Sequence, residues 1–276
     1  MTTRPRLRSS WLPAGICAAL IMVGAGPAHA DTATAAASAA TLTLAGGSTA
    51  TSGTLQASSD GTAQTSSGAP RPALTVLGTQ SLITSGVLVQ SAVARTDGTS
   101  AACAGMVGSG GSITIGADGS CTTVAGTGGV AIRLLGGLTP VDLLADAIVS
   151  RCTATSAGVT TAGVSLVNAR VSTAVVLNLA SNPAPGTVVT VPGVAELRLN
   201  GLTAPQGAGS VRVSALYVSL ASSTVRVDLG QSRCGLNVVT MQVPAVPVTG
   251  WAVAALAVLV TWGALATRWV RARWTA

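Results

Sequence analysis

The side chains of this sequence that could act in acid–base catalysis are mainly carboxylates. The sequence has no Lys, and its single His, His29, lies in an N-terminal segment that resembles a cleavable export signal. Without that His the mature chain has no Ser-His-Asp or Cys-His arrangement. Two carboxylate pairs remain for glycosidase-type chemistry, Asp142 with Asp146 and Glu196 with Asp228, which would need a separation of about 5–10 Å across a cleft. Such clefts usually stack sugars on aromatic rings, and a single Tyr supplies too few rings for that. We therefore expect that the protein is not an enzyme.

Cysteines are the second chemically active set. Four of the five Cys follow the N-terminal segment, at positions 103, 121, 152 and 234, an even number that favours a disulfide framework in an oxidising compartment. Three pairings are possible, and sequence order favours Cys103–Cys121 with Cys152–Cys234. A zinc site is the rival interpretation, but there is no Cys-x-x-Cys pair and no His beside these residues.

Metal and phosphate sites lack the patterns that they need. Asp60, Asp97 and Asp118 each stand alone before a Gly, and no run of alternating acids gathers oxygen ligands for calcium. The glycine-rich stretches 108–111 and 126–129 are followed by no Lys, so they are interpreted as hairpin connections. We expect no cofactor and no metal.

The N-terminus has the three parts of an export signal. Arg4, Arg6 and Arg8 precede an apolar stretch, residues 12–23, and Ala28 and Ala30 form a small-x-small cleavage site. Signal peptidase is therefore an expected partner, with cleavage before Asp31. Cys17 could suggest a lipoprotein, but Ile16 stands where a small residue is expected.

The C-terminus combines a short motif, an apolar span and a basic tail. The motif Val246-Pro247-Val248-Thr249-Gly250 resembles a sortase sorting signal, whose usual form is Leu-Pro-x-Thr-Gly. The resemblance implies that a sortase Cys attacks the Thr249 carbonyl and transfers the acyl group to a cell-wall peptide. Val replaces Leu at the first position, and the alternative is a plain linker before a membrane helix.

The apolar span predicts a transmembrane helix. Residues 251–267 carry no charge and reach about 25 Å as a helix, at the short end for a bilayer core. Arg268, Arg271 and Arg273 follow as a stop-transfer signal on the cytoplasmic side. A buried core helix is the alternative, which the cationic tail disfavours.

Charge excludes nucleic acid as a partner. The formal net charge of +7 comes mainly from the two ends, since three Arg lie in the signal and three in the tail. The nine Arg between them nearly balance the eight acidic residues. No basic patch for phosphate backbones is evident.

The segment between the two ends predicts an all-β fold. Residues 31–69 are an Ala/Thr/Ser/Gly-rich lead-in of expected weak structure, and residues 70–236 form the β-rich ectodomain. Residues 237–250 are the linker with the motif. Alternation of Val and polar residues predicts that 211–220 and 224–229 are strands, the first of them central. The other predicted strands are 74–77, 87–95, 112–116, 130–135, 145–153, 159–167, 171–179, 187–191 and 194–199.

Turn and helix signals divide these strands. Asp97-Gly98, Asp118-Gly119, Asn182-Pro183 and Asn200-Gly201 suit tight turns. Thr139-Pro140 resembles a helix N-cap, although residues 145 onward fit a strand equally well. We expect at most two short helices and a β-sandwich-like ectodomain.

Four segments carry a resemblance to a known family. They are residues 144–154 with Cys152, residues 163–167, residues 211–220, and residues 225–234 with Cys234. These segments resemble the choice-of-anchor P surface proteins of high-GC Gram-positive bacteria. The resemblance covers roughly residues 140–240 and implies an exported, anchored protein without a known biochemical role. We therefore expect a cell-surface protein of the envelope, held in the wall or by a single membrane span. Its role would be structural or adhesive, or it would bind envelope glycans through Tyr217 if that ring lay exposed in a groove.

Overall fold

The computed structural model describes residues 32–44, 46–60, 64–73, 77, 82–135, 141–203, 209–221, 225–235 and 237. The predicted signal peptide with Ala28 and Ala30, the predicted sorting motif from Val246 to Gly250, the predicted membrane span and the basic tail lie outside these residues. The described chain is all-β, and its strands pair antiparallel in several sheets. Ala73 and Leu77 are the described residues in helical conformation.

The largest sheet, called sheet A, has seven strands and contains both ends of the described chain. Its order is β17-β18-β19-β20-β1, and β2 and β3 share the free edge of β1. The strands are β1 (Thr32–Thr43), β2 (Thr49–Thr51), β3 (Leu55–Asp60), β17 (Thr187–Val191), β18 (Ala195–Thr203), β19 (Ser210–Leu220) and β20 (Arg226–Gly235).

A second sheet, called sheet B, packs face to face on sheet A. Its order is β14-β13-β8-β7-β4, with β5 also paired to β7. The strands are β4 (Gln64–Ser67), β5 (Arg71–Pro72), β7 (Val87–Ala94), β8 (Ser100–Val107), β13 (Ala147–Ala154) and β14 (Thr160–Val167). The main core lies between these two sheets, an arrangement that fits a β-sandwich.

A third sheet, called sheet C, contains strands that continue into strands of sheet B after a short break. Its order is β16-β15-β12-β11-β6. Single residues separate β6 from β7 and β12 from β13, namely Gly86 and Asp146. Gly86 has a φ of 129°, which favours glycine and allows the chain to turn from one sheet into the next. The strands are β6 (Ile83–Ser85), β11 (Val130–Leu135), β12 (Val141–Ala145), β15 (Arg170–Ser172) and β16 (Leu177–Asn178).

A two-stranded hairpin covers the outer face of sheet B. It consists of β9 (Ser112–Ile115) and β10 (Cys121–Val124). Ile113 packs there on a small apolar cluster of Val89, Val107 and Val149. Strand β8 is therefore covered on both faces, and all eight of its residues are buried.

The lead-in predicted for residues 31–69 differs from the structure. Residues 32–43 form β1, which lies in the interior of sheet A between β20 and the β2/β3 edge. Its inner face is built from alanines, including Ala33, Ala35 and Ala37, which are almost completely buried. Small side chains supply packing area only where two backbones come close, so composition alone did not reveal this strand.

Two further expectations differ from the structure. Asn200-Gly201 lies inside β18 and forms no turn, although Asn200 does have a positive φ of 51°. The helix start suggested at Thr139-Pro140 is followed by strand β12, which begins at Val141. By contrast, the expected central position of 211–220 is confirmed, because β19 lies between β18 and β20.

Four neighbouring strands of sheet A are kinked at one shared row. In β19 and β20, Ser214 pairs with Gln231 and Leu216 with Leu229, while Ala215 and Gly230 between them form no ladder pair. The same gap occurs at Asn200 in β18 and at Ala39 in β1. Because all four strands are interrupted together, the register continues unchanged. We call Asn200, Ala215, Gly230 and Ala39 the kink row.

The kink row reverses the alternation of side chains along each strand. In β20, Val227 and Leu229 are buried before the kink and Ser232 and Cys234 after it. Asp228 and Gln231, three residues apart, therefore point to the same outer face, where regular alternation would place them on opposite faces. The kink row thus brings together side chains that an uninterrupted strand would separate.

Candidate functional site

Both predicted disulfides are present and have different structural roles. Cys152 of β13 and Cys234 of β20 join sheet B to sheet A, with Cα atoms 5.8 Å apart. Cys103 of β8 and Cys121 of β10 attach the hairpin to sheet B, with Cα atoms 6.3 Å apart. This is the pairing that sequence order favours.

A second link between the two large sheets is a buried pair of hydroxyls. The Oγ atoms of Ser150 and Ser232 lie 2.6 Å apart, and both residues are fully buried. Gly230 lies beside them, and a Cβ there would be only 2.8 Å from the carbonyl oxygen of Ala104 in β8. The backbones of β20 and β8 therefore approach closely at this point.

The end of the sandwich is closed by the amide side chain of Asn237. Its Nδ2 donates to the carbonyl oxygen of Ala154 at 3.0 Å, and its Oδ1 accepts from Ser100 Oγ at 3.2 Å and from the Thr34 backbone N–H at 3.3 Å. One side chain therefore ties β1, β8 and β13 together just after β20.

Each carboxylate named as a catalytic candidate contacts a partner of its own. Asp142 pairs with Arg133 at 3.4 Å, and Glu196 pairs with Arg198 at 2.7 Å. Asp146 accepts a hydrogen bond of 2.5 Å from the side-chain amide of Asn168. None of these contacts joins one carboxylate to another. The pairs Asp142–Asp146 and Glu196–Asp228 therefore show no shared site among the contacts of the described residues.

Asp228 is the most buried of these acids. Burial raises the pKa of its carboxyl above the ordinary 3.8, and hydrogen bonds from Ser214 and Gln231 together with the nearby charge of Arg212 oppose that rise. Gln231 Nε2 donates to its Oδ2 at 2.5 Å, and Ser214 Oγ donates to its Oδ1. Both oxygens of this carboxyl therefore accept side-chain hydrogen bonds on the outer face of sheet A.

The Asp residues of the Asp-Gly turns serve the turns themselves. Asp97 Oδ1 accepts from the Thr99 backbone N–H at 2.9 Å, and Asp118 Oδ1 accepts from that of Ser120 at 3.0 Å. Hydrogen bonds from the Thr99 and Ser120 side chains lower the pKa of Asp97 and Asp118, respectively. Asp60 ends β3. Within the described ranges, no three His, Cys, Asp or Glu side chains are grouped as a metal site would require.

The glycine-rich stretches 108–111 and 126–129 lie against each other. Ser109 and Thr127 form an antiparallel bridge between them. A Cβ on Gly126 would lie 2.5 Å from the backbone nitrogen of Gly111, so only glycine permits this approach. Their role in the structure is backbone packing.

A cavity of about 300 Å³ lies where the hairpin meets sheet B. Arg151, Thr153 and Thr161 line its polar side, and the Cys103–Cys121 bond lies beside it through Cys121. The Oγ1 atoms of Thr153 and Thr161 are 2.6 Å apart and so satisfy each other. No acid–base pair is present in this cavity.

Tyr217 lies on the outer face of sheet A and is half-buried. In register it stands between Arg198 of β18 and Asp228 of β20. The ring is therefore neither fully exposed nor part of the core. Tyr217 is the only aromatic residue between positions 31 and 250. Sequence reasoning did not find the two arginines, Arg212 and Arg233, that lie two rows away on the same face.

Two arginines on the outer face of sheet A lie opposite each other. Arg212 of β19 and Arg233 of β20 are direct register partners, and both are exposed. Beside them, Ala36 of β1 pairs with Arg233, and Gln56 of β3 pairs with Ala36. The small Ala36 leaves a concavity of about 220 Å³. We call this row the arginine groove.

Comparisons with protein-family models, curated proteins and solved structures found no match. The resemblance to choice-of-anchor P proteins and to a sorting signal therefore stays a prediction. Within the part of the chain that the structure describes, no helix has the length and apolarity needed to cross a membrane.

Proposed function

We propose that this chain is an exported, non-catalytic cell-surface protein with a structural or adhesive role. It is attached at its C-terminus to the wall by sortase or to the membrane by its own helix. The observation that supports this most is the presence of two disulfides, one of which joins the two large sheets. Such bonds persist in oxidising compartments outside the cytosol.

The two ends of the sequence supply the rest of the proposal. The pattern around Ala28 and Ala30 favours cleavage by signal peptidase. The motif ending in Thr249-Gly250, the apolar residues 251–267 and the Arg tail then favour attachment at the outer face of the envelope.

A non-catalytic role is supported by the state of the acidic side chains. Asp142 and Glu196 pair with arginines, and both oxygens of Asp228 accept side-chain hydrogen bonds. General acid–base catalysis needs a carboxyl that can reach a substrate proton. These residues are better explained as parts of the sheet surface.

A second candidate function is a binding module for an envelope glycan or another ligand. It is favoured by the outer face of sheet A, where half-buried Tyr217 and the arginine groove lie on neighbouring strands. This function is compatible with surface display and does not require catalysis.

Cell fractionation with mass spectrometry of the mature chain tests the proposal. We expect an N-terminus at Asp31 and a C-terminus at Thr249 joined to a wall peptide, with four oxidised Cys in the mature chain. Substitution Thr249→Ala should shift the protein from the wall to the membrane fraction. Val248→Ala, at the variable position of the motif, is the matched control and should leave wall attachment unchanged.

Other outcomes are equally informative. An intact C-terminal tail in the membrane fraction would refute sorting and leave the membrane helix as the anchor. An unprocessed chain in the cytosol with reduced thiols would refute the whole proposal.

A further inference from the structure

The arginine groove places two like charges in direct contact range. Arg212 and Arg233 are opposite each other on adjacent strands, where side chains of a pair are about 5 Å apart at Cβ. Like charges in this position destabilise a sheet. The ion pairs of the described residues are Arg133–Asp142 and Arg198–Glu196, so neither groove arginine is in direct contact with a carboxylate there, and Asp228 acts on Arg212 only across Gln231.

A chain of hydrogen bonds holds one of the two guanidinium groups in place. Arg212 Nη2 donates to Gln231 Oε1 at 2.6 Å, and Gln231 Nε2 donates to Asp228 Oδ2 at 2.5 Å. Ser214 donates to the other oxygen of Asp228. Gln231 reaches Asp228 on the same face because the kink at Gly230 interrupts the alternation of β20. The fold therefore positions Arg212 before any ligand arrives.

The space beside the arginines is lined by small and neutral side chains. Ala36 and Ser38 of β1 form its floor, and Thr54 and Gln56 form the side opposite the arginines. The register places Arg212, Arg233, Ala36 and Gln56 in one row across β19, β20, β1 and β3. Four strands span about 14 Å at the usual spacing of about 4.8 Å. The groove is thus longer than a single small anion requires.

We propose that the arginine groove binds oxyanion groups, phosphate or carboxylate, carried on an extended polymer. Guanidinium groups bind both kinds of group through paired N–H donors, and two facing guanidiniums can share one oxyanion. The neutral donors and acceptors of Gln56, Thr54 and Ser38 suit the uncharged part of the repeat. That the polymer belongs to the cell envelope rests on the proposed function, whereas binding itself rests on the groove alone.

Titration of the purified full-length chain with two polymers tests the inference. Linear polyphosphate represents the phosphate source, polygalacturonate represents the carboxylate source, and dextran is the uncharged control. We expect at least one of the anionic polymers to bind, with affinity falling as salt rises, and dextran not to bind. Preference for one of the two identifies the oxyanion. Lack of binding by both at low salt would overturn the inference and leave the cellular location untouched.

Variants separate the groove from the general charge of the protein. Arg212→Gln with Arg233→Gln should weaken binding by about tenfold or more, because both guanidiniums are lost. Ala36→Glu should do the same by placing a negative charge in the groove. Arg226→Gln, which removes an exposed charge from the same face of β20, is the matched control and should change affinity less than about threefold.

The outcome pattern decides between a site and a diffuse attraction. Losses in proportion to the number of arginines removed, in Arg226→Gln as in the groove double variant, would show that only net charge matters and would overturn the inference. A cooperative thermal unfolding transition, at or above the parent's midpoint for the groove double variant, shows that the fold is intact. If the double variant failed to fold, Ala36→Glu would carry the test, and full binding by that variant would overturn the inference.

Discussion

The side chains of Ser150 and Ser232 meet between the two large sheets, with their Oγ atoms 2.6 Å apart and no exposure to solvent. One hydroxyl donates to the other, and the second then donates to a backbone carbonyl, either Ser150 Oγ to Ala104 at 3.4 Å or Ser232 Oγ to Ser150 at 3.3 Å. Each hydroxyl thus has a partner in the opposite sheet. The pair is a polar contact between two faces that are mainly apolar.

Removing one hydroxyl should therefore cost stability. We expect Ser150→Ala and Ser232→Ala each to lower the free energy of unfolding by about 1 kcal/mol, since a buried partner is left unsatisfied. The double variant should cost less than the sum of the two, by about 0.5–1 kcal/mol. Urea denaturation of the four proteins of the cycle measures this coupling.

The exposed pair of Thr153 and Thr161 is the matched control. Their Oγ1 atoms are also 2.6 Å apart, but water can replace either partner. Here the double-mutant cycle uses Thr→Val, which removes the hydroxyl, because Thr→Ser would keep it. We expect a coupling free energy near zero. Equal couplings in the buried and exposed pairs would contradict the role assigned to burial.

Asp228 should make stability depend on pH in an unusual direction. Burial raises the pKa of its carboxyl in the folded chain above 3.8, so the folded state favours the protonated form. Its contribution to stability is then full below the unfolded pKa and is lost as pH rises through the folded pKa. Asp228→Asn should remove this loss, so that the variant gains stability relative to the parent as pH rises above the unfolded pKa. Denaturation midpoints at a series of pH values measure the difference.

Asp118 supplies the opposite sign as a control. The Ser120 hydroxyl lowers the pKa of Asp118, so its contribution is present above the unfolded pKa and is lost as pH falls through the folded pKa. Asp118→Asn should therefore be less stable than the parent near neutral pH, and the two should approach the same stability in acid. If the stability of the two variants relative to the parent changed with pH in the same direction, the opposite pKa shifts of Asp228 and Asp118 would be contradicted.

Gly230 should tolerate no side chain. It has a φ of 62°, and a Cβ would lie 2.8 Å from the Ala104 carbonyl oxygen and 3.0 Å from Ala215 Cβ. Gly230→Ala should cost about 3 kcal/mol or more, from left-handed backbone and overpacking together. Thermal or urea denaturation measures the loss.

Gly186→Ala separates the two causes. Gly186 has a similar φ of 72°, but nothing lies within 4 Å of the position a Cβ would take. Only the backbone penalty of about 1–2 kcal/mol is expected there. If both variants lost the same stability, the close approach of β20 to β8 would be refuted.

The two disulfides should contribute unequally. Cys152 and Cys234 are 82 residues apart, and Cys103 and Cys121 are 18 apart. By the chain-entropy relation, removing the first bond by a double Cys→Ala substitution should cost about 4.5 kcal/mol and removing the second about 3 kcal/mol. Denaturation of the two double variants tests the order, and the reverse order would contradict it.

Sequence reasoning predicted the parts of this fold that follow simple alternation. In β20, Val227 and Leu229 are buried while Arg226 and Asp228 face outward, as the pattern indicated. Strand β8 was missed, because sheet A covers one face and the hairpin the other, so no polar residue alternates with Ala and Met. A strand with two buried faces gives no period-two signal.

The arginine groove could not be predicted for a different reason. Arg212 and Arg233 are 21 positions apart, and only the register of β19 with β20 makes them neighbours. The place of Ala36 beside them depends on β1, whose Ala-rich sequence gave no strand signal. The contact of Gln231 with Asp228 further depends on the kink at Gly230, which reverses the alternation that sequence analysis assumes.

Strand β20 is the last described strand, and it lies in the middle of sheet A between β1 and β19. A pull on the chain beyond Asn237 would act along this strand and load the ladders on both of its sides in shear. Cys234, near the exit, would pass the tension covalently to Cys152 before those ladders separate. In a tethered protein this geometry resists mechanical unravelling from the attached end, and single-molecule force spectroscopy would register it as a high rupture force that reduction lowers.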